Sequence, residues 1–86
     1  MVQDELLIEQ LNQKQVGAFK ILFDRFYRYL VLYAMKWVER QEIAEDVVQD
    51  VFVRVWLRRD NLRDDGTLQG YLLRSVYHAS LNALKK

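Results

Sequence analysis

At 86 residues with a formal net charge of +1, no cysteine and no proline, the chain has room for one domain and for neither a disulfide framework nor a zinc-stapled module. Hydrophobic residues make up 51% and aromatic residues 13%, so the fold must rest on a dense apolar core. The opening MVQDELLIEQ is acidic where a signal peptide needs a basic flank, and no run approaches the roughly 18 apolar residues of a membrane span; a soluble cytoplasmic domain without membrane insertion is expected.

Charge is segregated along the chain. Residues 1–13 carry Asp4, Glu5 and Glu9 and no base, whereas residues 14–38 carry Lys14, Lys20, Arg25, Arg28 and Lys36 against Asp24 alone. The sign reverses over residues 39–50, where Glu39, Glu42, Glu45, Asp46 and Asp50 stand against Arg40. It reverses again over residues 51–86, with five arginines and two lysines against three aspartates. Such patterning fits two partners of opposite character, or a solvated surface of varying sign.

In chain order, the first element is a short helix around Asp4 to Asn12 with Leu7 and Leu11 on one face. Whether residues 1–13 fold onto the rest is left open by the sequence. Next, Phe19, Leu22, Phe23, Phe26, Leu30, Tyr33, Ala34 and Trp37 recur at three- and four-residue steps, which marks one long core helix over residues 15–38. Phe19, Phe23, Phe26 and Trp37 are expected in the core.

The stretch AEDVVQDVFVRVW, residues 44–56, holds five valines, and its second half alternates like a strand. A strand would send Val47 and Val48 to opposite faces beside unpaired carboxylates. A helix over residues 42–59 instead gathers Ile43, Ala44, Val47, Val48, Val51, Phe52, Val55 and Trp56 on one stripe. Valine costs well under about 1 kcal/mol in a helix, and burying it returns about 1.5–3 kcal/mol, so helix prevails. Glu42, Glu45 and Asp46 then sit at the positive end of the helix dipole, and Arg58 and Arg59 at the negative end. A loop follows over residues 60–67, with Asp65-Gly66 as a turn signal and Thr67 as N-cap. The last helix spans residues 68–86, with Leu68, Leu72, Val76, Ala79 and Ala83 packing inward. The fold class is therefore all-α, a compact bundle of about four helices in a single domain.

No catalytic, metal or cofactor constellation is present. His78 is the lone histidine and has no cysteine or second histidine to share a metal with; Asp64-Asp65-Gly66 lacks the further ligands of a calcium loop; glycine-rich phosphate loops are absent. Two faces remain for binding. On the acidic helix Asp46, Gln49, Asp50, Val53, Arg54 and Leu57 stay outside the valine stripe, and Val53 and Leu57 among charges suit a helix-on-helix protein interface. On the last helix Tyr71, Arg74, His78, Asn82 and Lys85 follow at helical steps, with Tyr77 and Lys86 nearby. Cations for phosphates and aromatic faces for unstacked bases suit single-stranded nucleic acid, and an ordinary solvated helix end would look similar.

GAFKILFDRFYRYLVLYAMKWV, then AEDVVQDVFVRVW, then YLLRSVYHASLNALKK resembles region 2 of bacterial sigma factors, closest to the extracytoplasmic-function group of the sigma-70 family, over about Val16 to Lys86. That resemblance implies a non-enzymatic, cofactor-free domain of transcription initiation. It would bind the clamp helices of the RNA polymerase β′ subunit through Asp46, Gln49, Asp50, Val53 and Arg54. It would recognise and melt the promoter minus-ten element by capturing a base flipped from the non-template strand, with Asn61, Arg63 and Asp64 in the loop and Tyr71, Arg74, His78, Asn82, Lys85 and Lys86 facing DNA. Such factors often answer to an anti-sigma factor, and they normally continue into a second domain that reads the minus-35 element; that σ4 domain is not expected within these residues. His78 and Ala83 stand where asparagine and tyrosine are common in the group, Tyr71 where tryptophan is usual, and Glu39 where the connector often has glycine. The rival class is a helical protein-interaction adaptor without nucleic-acid binding. A helix-turn-helix reader of duplex DNA fits poorly, because NLRDDGT is long and acidic for its turn.

Overall fold

The valine-rich stretch is helical. In the computed structural model, which describes the backbone of residues 2–58 and 67–85 and the side chains from residue 5 onward in those ranges, the elements are α1 (Val2–Asn12), α2 (Val16–Val38), α3 (Gln41–Leu57) and α4 (Leu68–Leu84). There is no strand among the described residues. Asn61, Arg63, Asp64 and Lys86, together with Arg59 and the Asp65-Gly66 turn, lie outside them. Arg58, predicted within the third helix, is its C-cap in extended conformation.

Ala44, Val47, Val48, Val51, Phe52 and Val55 of α3 are buried against the inner faces of α2 and α4. Pairings across the bundle fix its directions. Phe19 meets Trp56, Phe23 meets Phe52, and Gln49 meets Tyr27, so α3 runs against α2. Gln69 meets Tyr29 and Tyr77 meets Trp37, so α4 runs alongside α2 in the same direction. The short α1 closes the core with Leu7, Ile8 and Leu11, all buried.

The aromatic residues distribute differently from the sequence expectation. Phe26 and Phe52 are buried, but Phe19, Phe23, Trp37 and Trp56 are half-buried. Phe52 is enclosed among Phe19, Phe23 and Tyr27 of α2, whereas Trp56 packs on Phe19 and Trp37 lies apart, against Tyr33 and Tyr77. Phe19 lies edge-on to Phe52 at 6.2 Å between centroids and Phe23 tilts against it at 5.0 Å. Toward its end α4 uses small inward residues, Ala79, Ser80 and Ala83, where its beginning uses Leu68, Leu72 and Val76. Ser80 is fully buried, and its hydroxyl has no hydrogen-bond partner among the described residues.

Two connections put non-glycine residues at positive φ. Helix α1 ends in a Schellman arrangement: the Gln15 N–H donates to Gln10 O at 3.1 Å and the Lys14 N–H to Leu11 O at 3.0 Å, with Lys14 at φ 59°. Between α2 and α3, the Arg40 N–H donates to Val38 O at 2.6 Å around Glu39, which has φ 60° and ψ −34°. That is a γ-turn of the strained, positive-φ kind, and it stands where the resemblance leads one to expect glycine. At the start of α3, Glu42 accepts from Arg40, and its carboxyl is held below the usual carboxylate value by hydrogen bonding to its own backbone N–H and then by Arg40.

Two stability predictions follow from these backbone features. Glu39→Gly should raise stability by about 1 kcal/mol, because relief of a positive-φ side chain outweighs the extra unfolded-state freedom of glycine; thermal melting should show it as a shift of roughly 4–8 °C. At α4 the Gly70 N–H donates to Thr67 Oγ1 at 2.9 Å, and a Cβ on Gly70 would lie 2.9 Å from that same oxygen. Thr67→Ala should cost about 1 kcal/mol. Gly70→Ala should gain nothing in the parent chain, yet stabilise the Thr67→Ala chain by up to roughly 1 kcal/mol, since only the capped helix has an atom in the way. Urea denaturation of the four proteins measures that coupling.

Candidate functional site

Once the valine stripe is buried, α3 presents a ridge to solvent. Asp46, Gln49, Asp50, Val53, Arg54 and Leu57 are all exposed. Val53 is 51% exposed and Leu57 68%, apolar surface that no described residue covers. Asp50 accepts from Arg54 at 2.7 Å across one turn, and the Gln49 amide donates to the Tyr27 hydroxyl at 3.2 Å, which steers that side chain toward α2. A groove flanks the ridge on each side. The α2–α3 groove, about 580 Å³, is lined by Tyr27, Val31, Leu32 and Met35 with Arg28 and Glu45 at its edge. The α3–α4 groove, about 470 Å³, gathers Asp46, Asp50, Arg54 and Asn82 around Val47 and Ala79.

The predicted stripe on α4 divides. Arg74, His78 and Lys85 are exposed on its outer side. Tyr71 is instead half-buried against the core, and its hydroxyl accepts from Arg58 Nη1 at 3.0 Å while the guanidinium lies 5.4 Å from the ring centroid. Asn82 borders the acidic α3 groove, across from Asp46 and Asp50. The reason is the position of α3, which packs along the Tyr71–Ala79–Asn82 edge of α4; a helical step count fixes the angular order of residues but not where the neighbouring helix lies.

Arg58 and Lys14 carry the local geometry but were not among the site residues expected from sequence. Arg58 and Tyr71 join the two chain ends that flank residues 59–66, holding α3 and α4 together at that point. Lys14 reaches the same place from the other side. Its ammonium donates to Trp56 O and, at 3.1 Å, to Arg58 O, and it stands 5.6 Å from the Trp56 ring centroid. Carbonyls in the last turn of α3 have no intrahelical partner, and a cation there also meets the negative end of the helix dipole. The partners are 42 residues apart, so no local motif announces the contact. Lys14 occupies the left-handed position where glycine is usual, and a glycine would have no side chain to reach across.

With that geometry in place, the charge pattern becomes spatial. Helix α3 holds Glu42, Glu45, Asp46 and Asp50 against Arg54, α2 holds Lys20, Arg25, Arg28 and Lys36 against Asp24, and α4 holds Arg74 and no carboxylate. No group of three or more His, Cys, Asp or Glu side chains among the described residues could hold a metal ion. None of the described helices is long and apolar enough to cross a membrane.

The family model for sigma-70 region 2 matches residues 22–86, and the chain belongs to that family of non-enzymatic transcription initiation factors. A curated relative, the RNA polymerase sigma-H factor of Pseudomonas aeruginosa, is 24% identical over 82 residues, which cover 95% of this chain and 42% of the relative. The chain thus spans less than half the length of the relative it matches. No solved structure matches it significantly.

Lys14→Met should lower stability by about 1 kcal/mol through loss of the ammonium from the α3 carbonyls. Lys14→Gly should cost less, because it loses the same contacts but relieves the positive φ. Denaturant titration of both compares them; equal losses would mean that relief of the left-handed backbone does not exceed the unfolded-state cost of glycine.

Proposed function

We propose that this domain is the region 2 module of an extracytoplasmic-function type sigma factor, working in the cytoplasm with RNA polymerase core and promoter DNA. The observation that carries the reading is the division of charge between helices within a sigma-70 region 2 chain. A rigid acidic ridge with two exposed apolar residues suits a protein partner, and a cationic, carboxylate-free α4 suits a polyanion.

In this reading α3 docks on the clamp helices of the β′ subunit. Asp46 and Asp50 meet cationic side chains, Val53 supplies an apolar anchor, and Gln49 and Arg54 set register along the ridge. Arg74, His78 and Lys85 of α4 face the non-template strand of the minus-ten element, with Lys86 beyond them. Tyr71, held by Arg58, and Asn82, at the edge of α3, bound that path on its α3 side. Asn61, Arg63 and Asp64 belong to the segment that receives the flipped base, whose extrusion costs a few kcal/mol and must be offset by contacts on the protein. An anti-sigma factor would act by covering one or both faces.

Binding of a β′ clamp-helix fragment should fall by at least about tenfold in Asp50→Arg and in Gln49→Arg, since each puts a cation on a ridge built for cationic partners. Both positions are exposed, so circular dichroism and melting should match the parent. Unimpaired binding by both variants would remove α3 as the docking face. Failure of the parent itself to bind would favour the adaptor class instead.

A further inference from the structure

Four aromatic side chains run in unbroken contact across the α2–α4 side of the bundle. Tyr33 meets Trp37 edge-on at 4.7 Å between ring centroids, Trp37 meets Tyr77 at 5.1 Å, and Tyr77 meets His78 at 5.5 Å. The Lys36 ammonium stands 5.5 Å from the centroid of Tyr33. Packing between helices accounts for the middle contact, Trp37 on Tyr77. It does not account for the His78 end, because His78 and Tyr77 are exposed; Tyr33 packs against the core, yet it and Trp37 are only half-buried. Ring surface therefore reaches solvent along the whole row.

The electrostatic surroundings favour one kind of occupant. Lys36 sits at one end of the row, Arg74 one turn before His78, and Lys85 two turns beyond it. Helix α4 carries no carboxylate, the acidic ridge belongs to α3, and the acid nearest the row in sequence is Glu39, two residues past Trp37. Flat ring faces among spaced cations bind single-stranded nucleic acid, whose bases stack on the rings while phosphates meet the cations. A protein partner would be better served by the aliphatic ridge of α3. The row is also continuous with His78, which already belongs to the α4 face.

We propose that Tyr33, Trp37, Tyr77 and His78 form a base-stacking platform that carries single-stranded DNA from α4 across onto α2, with Lys36, Arg74 and Lys85 on its phosphates. The proposal rests on the reading of α4 as the promoter-facing helix, and it extends the strand's path to a second helix that the α4 stripe does not include.

The test uses the domain bound to polymerase core and a labelled single strand selected on that complex from a randomised pool. Each nucleotide of the selected strand is replaced in turn by an abasic site. In the parent, loss of the base at one or two positions should weaken binding by about 5- to 100-fold. At those same positions it should cost little in Trp37→Leu or Tyr77→Leu, because the ring that held the base is gone, whereas Trp37→Phe should restore the sensitivity. Retained binding to the clamp helices shows that each variant is folded, and Tyr77→Leu, at the more exposed position, serves if Trp37→Leu is not. Equal abasic costs in parent and both leucine variants would overturn the platform and leave the α4 reading standing. If no strand is retained above polymerase core alone, the promoter-strand reading falls, and the platform with it.

Discussion

The burial of Phe52 where α2 and α3 meet is the interaction on which the rest of this domain depends. Its ring is almost wholly enclosed, and Phe19, Phe23 and Tyr27 of α2 are arranged around it. Without disulfide or metal, so short a chain has little but such contacts to oppose its conformational entropy. Placing Phe52 inward also fixes the rotation of α3. Val48, Val51 and Val55 follow it into the core, and Asp46, Asp50 and Val53 are turned outward as a necessary complement. The exposed ridge is thus the geometric remainder of the buried one, its orientation set by the core beneath it.

The bundle also separates two electrostatic tasks by topology. Helix α3 packs against both α2 and α4 and carries Glu42, Glu45, Asp46 and Asp50, while α2 carries four cations against one carboxylate and α4 carries Arg74 and no carboxylate. The two grooves beside α3 show where these territories meet. On the α2 side the boundary is apolar, with Arg28 and Glu45 at its rim; on the α4 side it is polar, with Asn82 against Asp46 and Asp50. A sigma-70 region 2 domain with these borders presents different chemistry to each neighbour without needing separate subdomains.

Much of this was legible in the chain itself. Period alone settled residues 44–56 as helical, because only the helix buries Val47, Val48 and Phe52 together, and Thr67 was legible as a cap by type and position. What the chain did not disclose is non-local. Lys14 on the carbonyls of Trp56 and Arg58, and Arg58 on Tyr71, depend on the meeting of distant segments. The α4 stripe was legible as an angular order, yet Tyr71 and Asn82 fell under the influence of α3 once the packing direction was set. The positive φ at Lys14 was hidden because the residue type does not signal it, whereas at Glu39 the pointer was the glycine common at that place in the group it resembles. Half-burial of Phe19 and Phe23 is likewise non-local: both lie against Phe52, the ring that α3 places inward.

The change from large to small inward residues along α4 has a consequence for motion. Its first turns are fixed by the Thr67 cap and by Leu68, Leu72 and Val76, while its last turns are held by Ala79, Ala83 and a serine whose hydroxyl has no partner among the described residues. Fewer buried carbon atoms per turn mean a lower free energy of local opening, so backbone amides near Asn82 exchange with solvent through smaller fluctuations than those near Leu72. The helix is more firmly anchored around Leu72, near Arg74, than around Ala83, near Lys85. A contact surface graded in this way can hold one part of a partner in register while its far end adjusts.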